Sequence, residues 1–284
     1  MKRPTIISVT NHKGGVGKTS LSVNLSQYFL KYVDKVLVID MDPQAHATWW
    51  LCKYADSVSA TISDVLKFGL FNDIEDLEMR KQFKELIVKA TYDRFMDSNK
   101  QISVITSNLG LADTKVELSS SMQESIKYFR IREAIRFIAK DYDIVIIDTP
   151  PSIELLTWAA IASSDYILLP VQLDALSISG AKDVMNKIVP AIRKYYNPDI
   201  RILGMVINLH HDTKVSRISE EIIRETFKNY LFRTFISRSV RVGELATIGE
   251  TLNKVSPKSK SAKEFESLTK EILERLDKKG GKDR

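Results

Sequence analysis

The residues best suited to chemistry begin with the run Lys13-Gly14-Gly15-Val16-Gly17-Lys18-Thr19-Ser20. Glycines at this density let backbone N–H groups converge on an anion, and a helix starting at the end of the run adds its positive pole. Lys18 can then reach the terminal phosphates of a nucleotide, and the Thr19 hydroxyl can complete the shell of a magnesium ion. The usual phosphate loop reads Gly-x-x-x-x-Gly-Lys-[Ser/Thr]. This run is a compressed version with a second lysine, Lys13, at its start. Carboxylates suited to the same chemistry follow. Asp40 and Asp42 stand one residue apart in Ile39-Asp40-Met41-Asp42-Pro43-Gln44, and Asp148 closes Ile144-Val145-Ile146-Ile147-Asp148. Beside a triphosphate, one of the paired carboxylates can support the magnesium shell while the other orients a water for in-line attack. An aspartate after four apolar residues at a strand end is the Walker B arrangement, which holds magnesium through water. Asp40 or Asp42 alone equally suits a helix cap; the pair favours the site. Asp143, at the other end of its strand, reads as structural.

Near-continuous apolar runs must position these groups. They are Ile6–Thr10, Val36–Asp40, Ile102–Thr106, Ile144–Asp148, Tyr166–Pro170 and Ile202–Asn208, with a short Thr234–Ile236 after them. Such runs suit strands covered on both faces, and their alternation with helix-compatible segments predicts an α/β fold. The expected architecture is a doubly wound, mostly parallel sheet with helices on both faces. Ligands bind outside the strand C-terminal ends of such sheets, where the loop and all three aspartates fall. Residues 64–100 are rich in charge and show no β-run, and the spacing predicts a helix over 76–92 with Leu77, Phe83, Leu86 and Ile87 on its apolar face. We read 64–100 as a helical insertion within one domain spanning 1–284. A second amphipathic helix, over 262–276, carries Phe265, Leu268, Ile272 and Leu276 on one stripe. Glu264, Glu266, Glu271 and Glu274 on its polar face oppose anionic lipid, so it is expected to pack on the domain.

The chain has 284 residues, 44% hydrophobic and 27% charged, as in an ordinary globular protein. There is no run of 18 apolar residues to span a membrane, and the first strand starts too early to leave room for a secretory signal. A single cysteine, Cys52, excludes an intrachain disulfide and any Cys-x-x-Cys centre, so a cytoplasmic setting is expected. The net charge of +6 is unevenly placed: residues 190–260 hold thirteen Lys/Arg against seven Asp/Glu, the whole excess. A locally basic face suits a polyanion, either nucleic acid or an anionic membrane, and charge alone equally fits a solvated surface.

With these motifs assembled, the chain resembles the ParA/Soj family of deviant Walker A ATPases, within the ParA–MinD group. The matching residues are Asn11-His12-Lys13-Gly14-Gly15-Val16-Gly17-Lys18-Thr19, Asp40-Met41-Asp42-Pro43-Gln44 and Asp148-Thr149-Pro150-Pro151-Ser152. Leu155-Leu156-Thr157, Leu169-Pro170-Val171-Gln172 with Ala175-Leu176, and Leu111-Ala112 with Glu117-Leu118 also match. Near the end, Val240-Arg241 with Glu244, and Pro257-Lys258-Ser259-Lys260-Ser261-Ala262, echo the closing motifs. The resemblance covers nearly the whole chain outside about 64–100, and looks like the short, Soj-like form.

The resemblance implies an ATP hydrolase, weak unless stimulated, that forms a homodimer when two subunits sandwich two ATP molecules with Mg2+. Lys13 would cross the interface to touch the phosphates of the other subunit, while Lys18 would bind the β- and γ-phosphates of its own. Gly14, Gly15, Val16, Gly17 and Ser20 would complete the cradle. Thr19 would ligate magnesium, Asp40 and Asp148 would support it, and Asp42 would position the attacking water. Asn208 stands where relatives recognise adenine, although a strand-end asparagine equally caps a turn.

Relatives bind double-stranded DNA non-specifically as ATP dimers, through basic residues of the C-terminal third. Arg241 is the strongest candidate here, followed by Arg238, Lys214, Arg217, Lys258 and Lys260. Such residues contact phosphates, so binding should be salt-sensitive and indifferent to sequence. The implied function is plasmid or chromosome partitioning on the nucleoid, with a ParB-like centromere-binding protein stimulating hydrolysis and no stable membrane association. ParA-like positioning of another cargo is the nearest alternative. A MinD-like membrane-associated positioning ATPase would require the C-terminal helix to bind lipid, and a reductase component like the nitrogenase iron protein fits poorly with one cysteine. The chain departs from the family pattern at His12 (usually glutamine), His46 (usually asparagine) and Ser237 (usually proline). The 209–213 segment also lacks a common arginine, for which Lys214 is the substitute.

Overall fold

Apolar runs become strands here because both of their faces are buried. The computed structural model describes residues 3–53, 58–95, 99–121, 123–211 and 213–280. Among them the strands are β1 (Thr5–Val9), β2 (Lys35–Asp40), β3 (Thr91–Phe95), β4 (Gln101–Ile105), β5 (Ile144–Asp148), β6 (Tyr166–Val171) and β7 (Arg201–Ile207). They form one sheet in the order β3-β4-β2-β5-β1-β6-β7, parallel throughout except for the β3–β4 pair. Successive side chains point to opposite faces. In β2, Val36 and Val38 therefore join one apolar cluster while Leu37 and Ile39 join the other. β5 divides the same way, Ile144 and Ile146 against Val145 and Ile147.

Helices supply the two covers. The chain order is α1 (Lys18–Phe29), α2 (His46–Leu51), α3 (Ile62–Phe71), α4 (Leu77–Ala90), α5 (Leu111–Ser121), α6 (Glu124–Ala139) and α7 (Leu155–Ser163). Then come α8 (Ala175–Asp183), a π turn (Val184–Ile188), α9 (Val189–Tyr195) and α10 (Lys214–Thr226), followed by α11 (Val240–Ile248), α12 (Leu252–Val255) and α13 (Lys260–Gly280). Core residues of α3 to α10 join one cluster, and those of α1, α2 and α11 to α13 the other. The predicted stripe on α13 is the packing face: Phe265, Leu268 and Ile272 are buried, and Phe265 stacks on Tyr28 of α1 with ring centroids 6.1 Å apart.

Three sequence expectations need correction. Residues 64–100 do contain a strand, since β3 closes the segment and pairs antiparallel with β4. A short, charged edge strand carries no apolar run to betray it, and its Asp93 accepts a hydrogen bond from Ser103 at 2.6 Å. The helix predicted over 76–92 is α4, with Asp76 capping it through the N–H groups of Glu78 and Met79. Phe83 is buried and Leu86 and Ile87 pack against the core, but Leu77 is 81% exposed. At 100° per residue Leu77 lies about 120° around the helix from Phe83, off the packing face. Finally, Thr234–Ile236 is no strand. The N–H groups of Arg233 and Thr234 donate to Glu271, and that of Ser237 to Glu264, at 2.9–3.0 Å. Carboxylates of α13 therefore take bonds that a sheet ladder would have used, while Ile236 N–H still donates to Ile207 of β7.

Candidate nucleotide-binding site

The register of the sheet sets the site in a row. Asp40 pairs with Asp148 across β2 and β5, and Asp148 pairs with Val9 across β5 and β1. On the far side of β1 come the ends of β6 and β7, which lead to Gln172 and Asn208. Parallel neighbours lie about 4.8 Å apart, so both aspartates and the start of the glycine loop are lateral neighbours.

The loop from β1 to α1 is built on left-handed glycines. Gly15 has φ +74° and Gly17 φ +85°, conformations that a side chain resists. A Cβ at Gly17 would also stand 2.2 Å from the Asn208 amide nitrogen. Gly17 opens α1 with no side chain capping the helix, so the first turn presents its N–H groups and positive pole toward the loop. Lys18 is buried and donates to the carbonyls of Asn11 (2.9 Å) and Lys13 (3.2 Å). Burial holds its ammonium below the usual lysine range, opposed by the charges of Asp148 and Asp42. Asn11 anchors the base of the loop through Pro170 and Ser177 carbonyls.

The carboxylates are fixed from several sides. Asp148 accepts from the hydroxyls of Thr19 (2.7 Å) and Ser22 (2.9 Å). Asp40 accepts from both the N–H and the hydroxyl of Thr48 at 2.8 Å and from Asp42 N–H at 3.1 Å. Asp42 accepts from Gln44 N–H, and its carbonyl takes the Ser107 hydroxyl. Both Asp40 and Asp148 are pushed up from the usual carboxylate range. Burial is the main cause for each, and their mutual proximity is the next for Asp148. Two buried carboxyls beside a hydroxyl form a hard-oxygen set that a divalent cation would neutralise. Among the described residues no three His, Cys, Asp or Glu converge on a point.

Lys13 and Asn208 have partners of their own. Lys13 Nζ lies 2.7 Å from Asp174 Oδ2 and 3.3 Å from Gln172 Oε1, both in the loop after β6. Asn208 donates to the Val16 carbonyl at 2.7 Å, joining the end of β7 to the glycine loop. Next to it, Leu209 adopts φ +54°, rare for a branched residue, at the rim of a cavity of about 400 Å3. Gly15, Ser20, Asn208, Ile236, Ser239 and Val242 are among its walls, giving a mostly apolar recess beside the phosphate loop. Gln172 and Asp174 join the site beyond the residues expected from the sequence. The signal was available: both follow a parallel strand end, and Gln172 lies in a matched motif.

The six basic candidates are all exposed, and Arg238 alone among them also lines the recess with Gly15 and Asn208. Arg241 opens α11, paired with Glu244 at 3.1 Å and bonded to Ser256, which ties it to the loop carrying Lys258. Lys260 opens α13 within 3.7 Å of Glu264, and Arg238 reaches His211 beside the cap of α10, where Lys214 and Arg217 lie.

The family model described as an AAA domain matches residues 4–202. Soj of Bacillus subtilis, a sporulation initiation inhibitor protein, is 31% identical over 94% of this chain and 97% of its own. The chain belongs to the ParA/Soj family. The chromosome partitioning protein ParA of Myxococcus xanthus is 29% identical over 95% of this chain and 88% of its own. Among solved structures, cobyrinic acid a,c-diamide synthase from Mycobacterium smegmatis with bound ADP and magnesium superposes with a TM-score of 0.74. It is 21% identical, with 96% of each chain covered. A synthase sharing the sheet means that fold alone does not give a ParA/Soj chain its activity. The residues around the row must carry that argument.

Proposed function

We propose that this chain is a Mg2+-dependent ATP hydrolase that dimerises around ATP, holds DNA without sequence preference, and releases it on hydrolysis to partition a plasmid or chromosome. The observation that carries this reading is the row Asp40–Asp148–phosphate loop with a second lysine, Lys13, at the loop's mouth. Lys18 and the first turn of α1 bind the β- and γ-phosphates, and the apolar recess beside Asn208 takes the base. Magnesium, when bound, spreads phosphate charge and would be held by Thr19 with Asp148 and Asp40 behind it. Asp42 orients the attacking water and accepts its proton, in a site whose donors are already aligned.

Assembly follows from two features. Lys18 already serves the loop from within, which leaves Lys13 to touch phosphate bound by a second copy. Leu109, Ile153 and Leu176 are exposed on segments that follow the C-terminal ends of β4, β5 and β6, and Val240 is exposed at the start of α11. An apolar rim around a charged site suits closure by another subunit. The basic exposed residues of α10, α11 and the start of α13 form the DNA face, and hydrolysis stimulated by a ParB-like partner times release in the cytoplasm. No described helix is long and apolar enough to cross a membrane, and the apolar face of α13 is spent on packing, which favours DNA over lipid as the polyanion. Pelleting with DNA or with anionic liposomes, with and without ATP, tests the reading. ATP-dependent recovery with DNA alone is expected; recovery with liposomes alone would overturn it.

A further inference from the structure

The loop after β6 grips the phosphate loop at two points. Asp174 Oδ2 and Gln172 Oε1 both face Lys13 Nζ, at 2.7 and 3.3 Å, and Gln172 turns its amide nitrogen back onto the Gly15 carbonyl at 2.8 Å. Asp174 is itself held in place, because its other oxygen caps α8 through Ser177 N–H at 2.9 Å. The ion pair is half-sheltered, with side chains 27% and 38% exposed, so it is neither a buried lock nor a bare surface contact. A charged hydrogen bond of this length, backed by a helix cap, is a well-defined resting place for a flexible lysine.

We propose that Asp174 and Gln172 form a latch in cis that holds Lys13 against its own subunit, so that dimer formation requires Lys13 to exchange Asp174 for phosphate across the interface. The proposal rests on the reading of Lys13 given above and adds a threshold to it. A lysine bound to a carboxylate of its own chain is unavailable to a second chain, and the apparent affinity for assembly falls by the fraction of molecules unlatched. The competitor must be an anion stronger than one carboxylate, which a triphosphate is. Asp174 and Gln172 are positioning residues in this scheme, acting on the reaction only through Lys13.

The test uses the full chain. Asp174→Asn keeps an oxygen for the Ser177 cap and removes the charge facing Lys13. ATP titrations followed by light scattering should show the Asp174→Asn protein dimerising at about three- to tenfold lower ATP than wild type. The same substitution placed on Lys13→Ala should leave that protein a monomer, because the cation that the latch holds and the interface needs is gone. ATP-driven dimers restored to Lys13→Ala by Asp174→Asn, or no shift in the wild-type background, would overturn the latch. A second readout is independent of the dimer: amide exchange across residues 13–17, measured without nucleotide, should be faster in Asp174→Asn than in wild type. If Lys13→Ala itself dimerises normally, the interface role of Lys13 fails, and exchange across the loop still decides the latch. Unchanged exchange there would sink it.

Discussion

The phosphate-loop row and the basic face of the C-terminal third are both rich in charge, yet they are built on opposite principles. Around the row, Lys18, Asp40, Asp148 and Asn208 are buried, and each is fixed by partners within the chain. On the basic face, Arg241, Lys258 and Lys260 are exposed, and the ion pairs run from Arg241 to an exposed Glu244 and from Lys260, at 3.7 Å, to the more sheltered Glu264. Buried charge in a preorganised frame acts as a unit, so removing one member costs most of the function. Exposed charge acts by summation through a screened field, so removing one member costs a fraction. A chemical switch and a non-specific grip need these two designs respectively.

That contrast is open to attack at several strengths. The largest effect should come from Asp42→Ala, which is expected to slow phosphate release by about 10²–10³-fold while ATP still binds. Turnover near the wild-type rate would remove Asp42 from its role and blur the line between the two regions. Next, Arg241→Ala should lower DNA affinity in the ATP state by about tenfold and flatten its salt dependence by about one unit of slope, with ATP binding unchanged. Gel retardation at several salt concentrations measures both. Smallest, Lys258→Ala should weaken DNA binding about two- to threefold with no change in hydrolysis. A collapse of binding on losing this one lysine would mean that the face is a built site, as preorganised as the row.

How much was legible in the sequence follows the same division. The glycine run and the strand-end aspartates were readable because a parallel sheet delivers every strand's C-terminal end to one edge, whatever the loops between do. Asp40, Asp148 and the loop therefore meet as their positions in the strands require. Asp174 escaped because a carboxylate in a loop also reads as a helix cap, which it is as well. β3 escaped because edge strands are short and polar, and Thr234–Ile236 misled because Glu271 and Glu264 of α13 take the backbone donors of Arg233, Thr234 and Ser237 at and around its ends. Those partners lie 27 to 38 residues away in sequence, beyond any local pattern. For the basic face the sequence offered only a charge excess, and the fold adds which charges share a surface: Arg241 is tied through Ser256 to the loop of Lys258.

The claim on which the account turns is that Lys13 makes the site a two-chain device. Light scattering on Lys13→Ala, with saturating ATP and magnesium, tests it most directly. The account predicts that this protein binds ATP and stays a monomer under conditions where the wild-type chain becomes a dimer. A Lys13→Ala dimer of normal stability would contradict it.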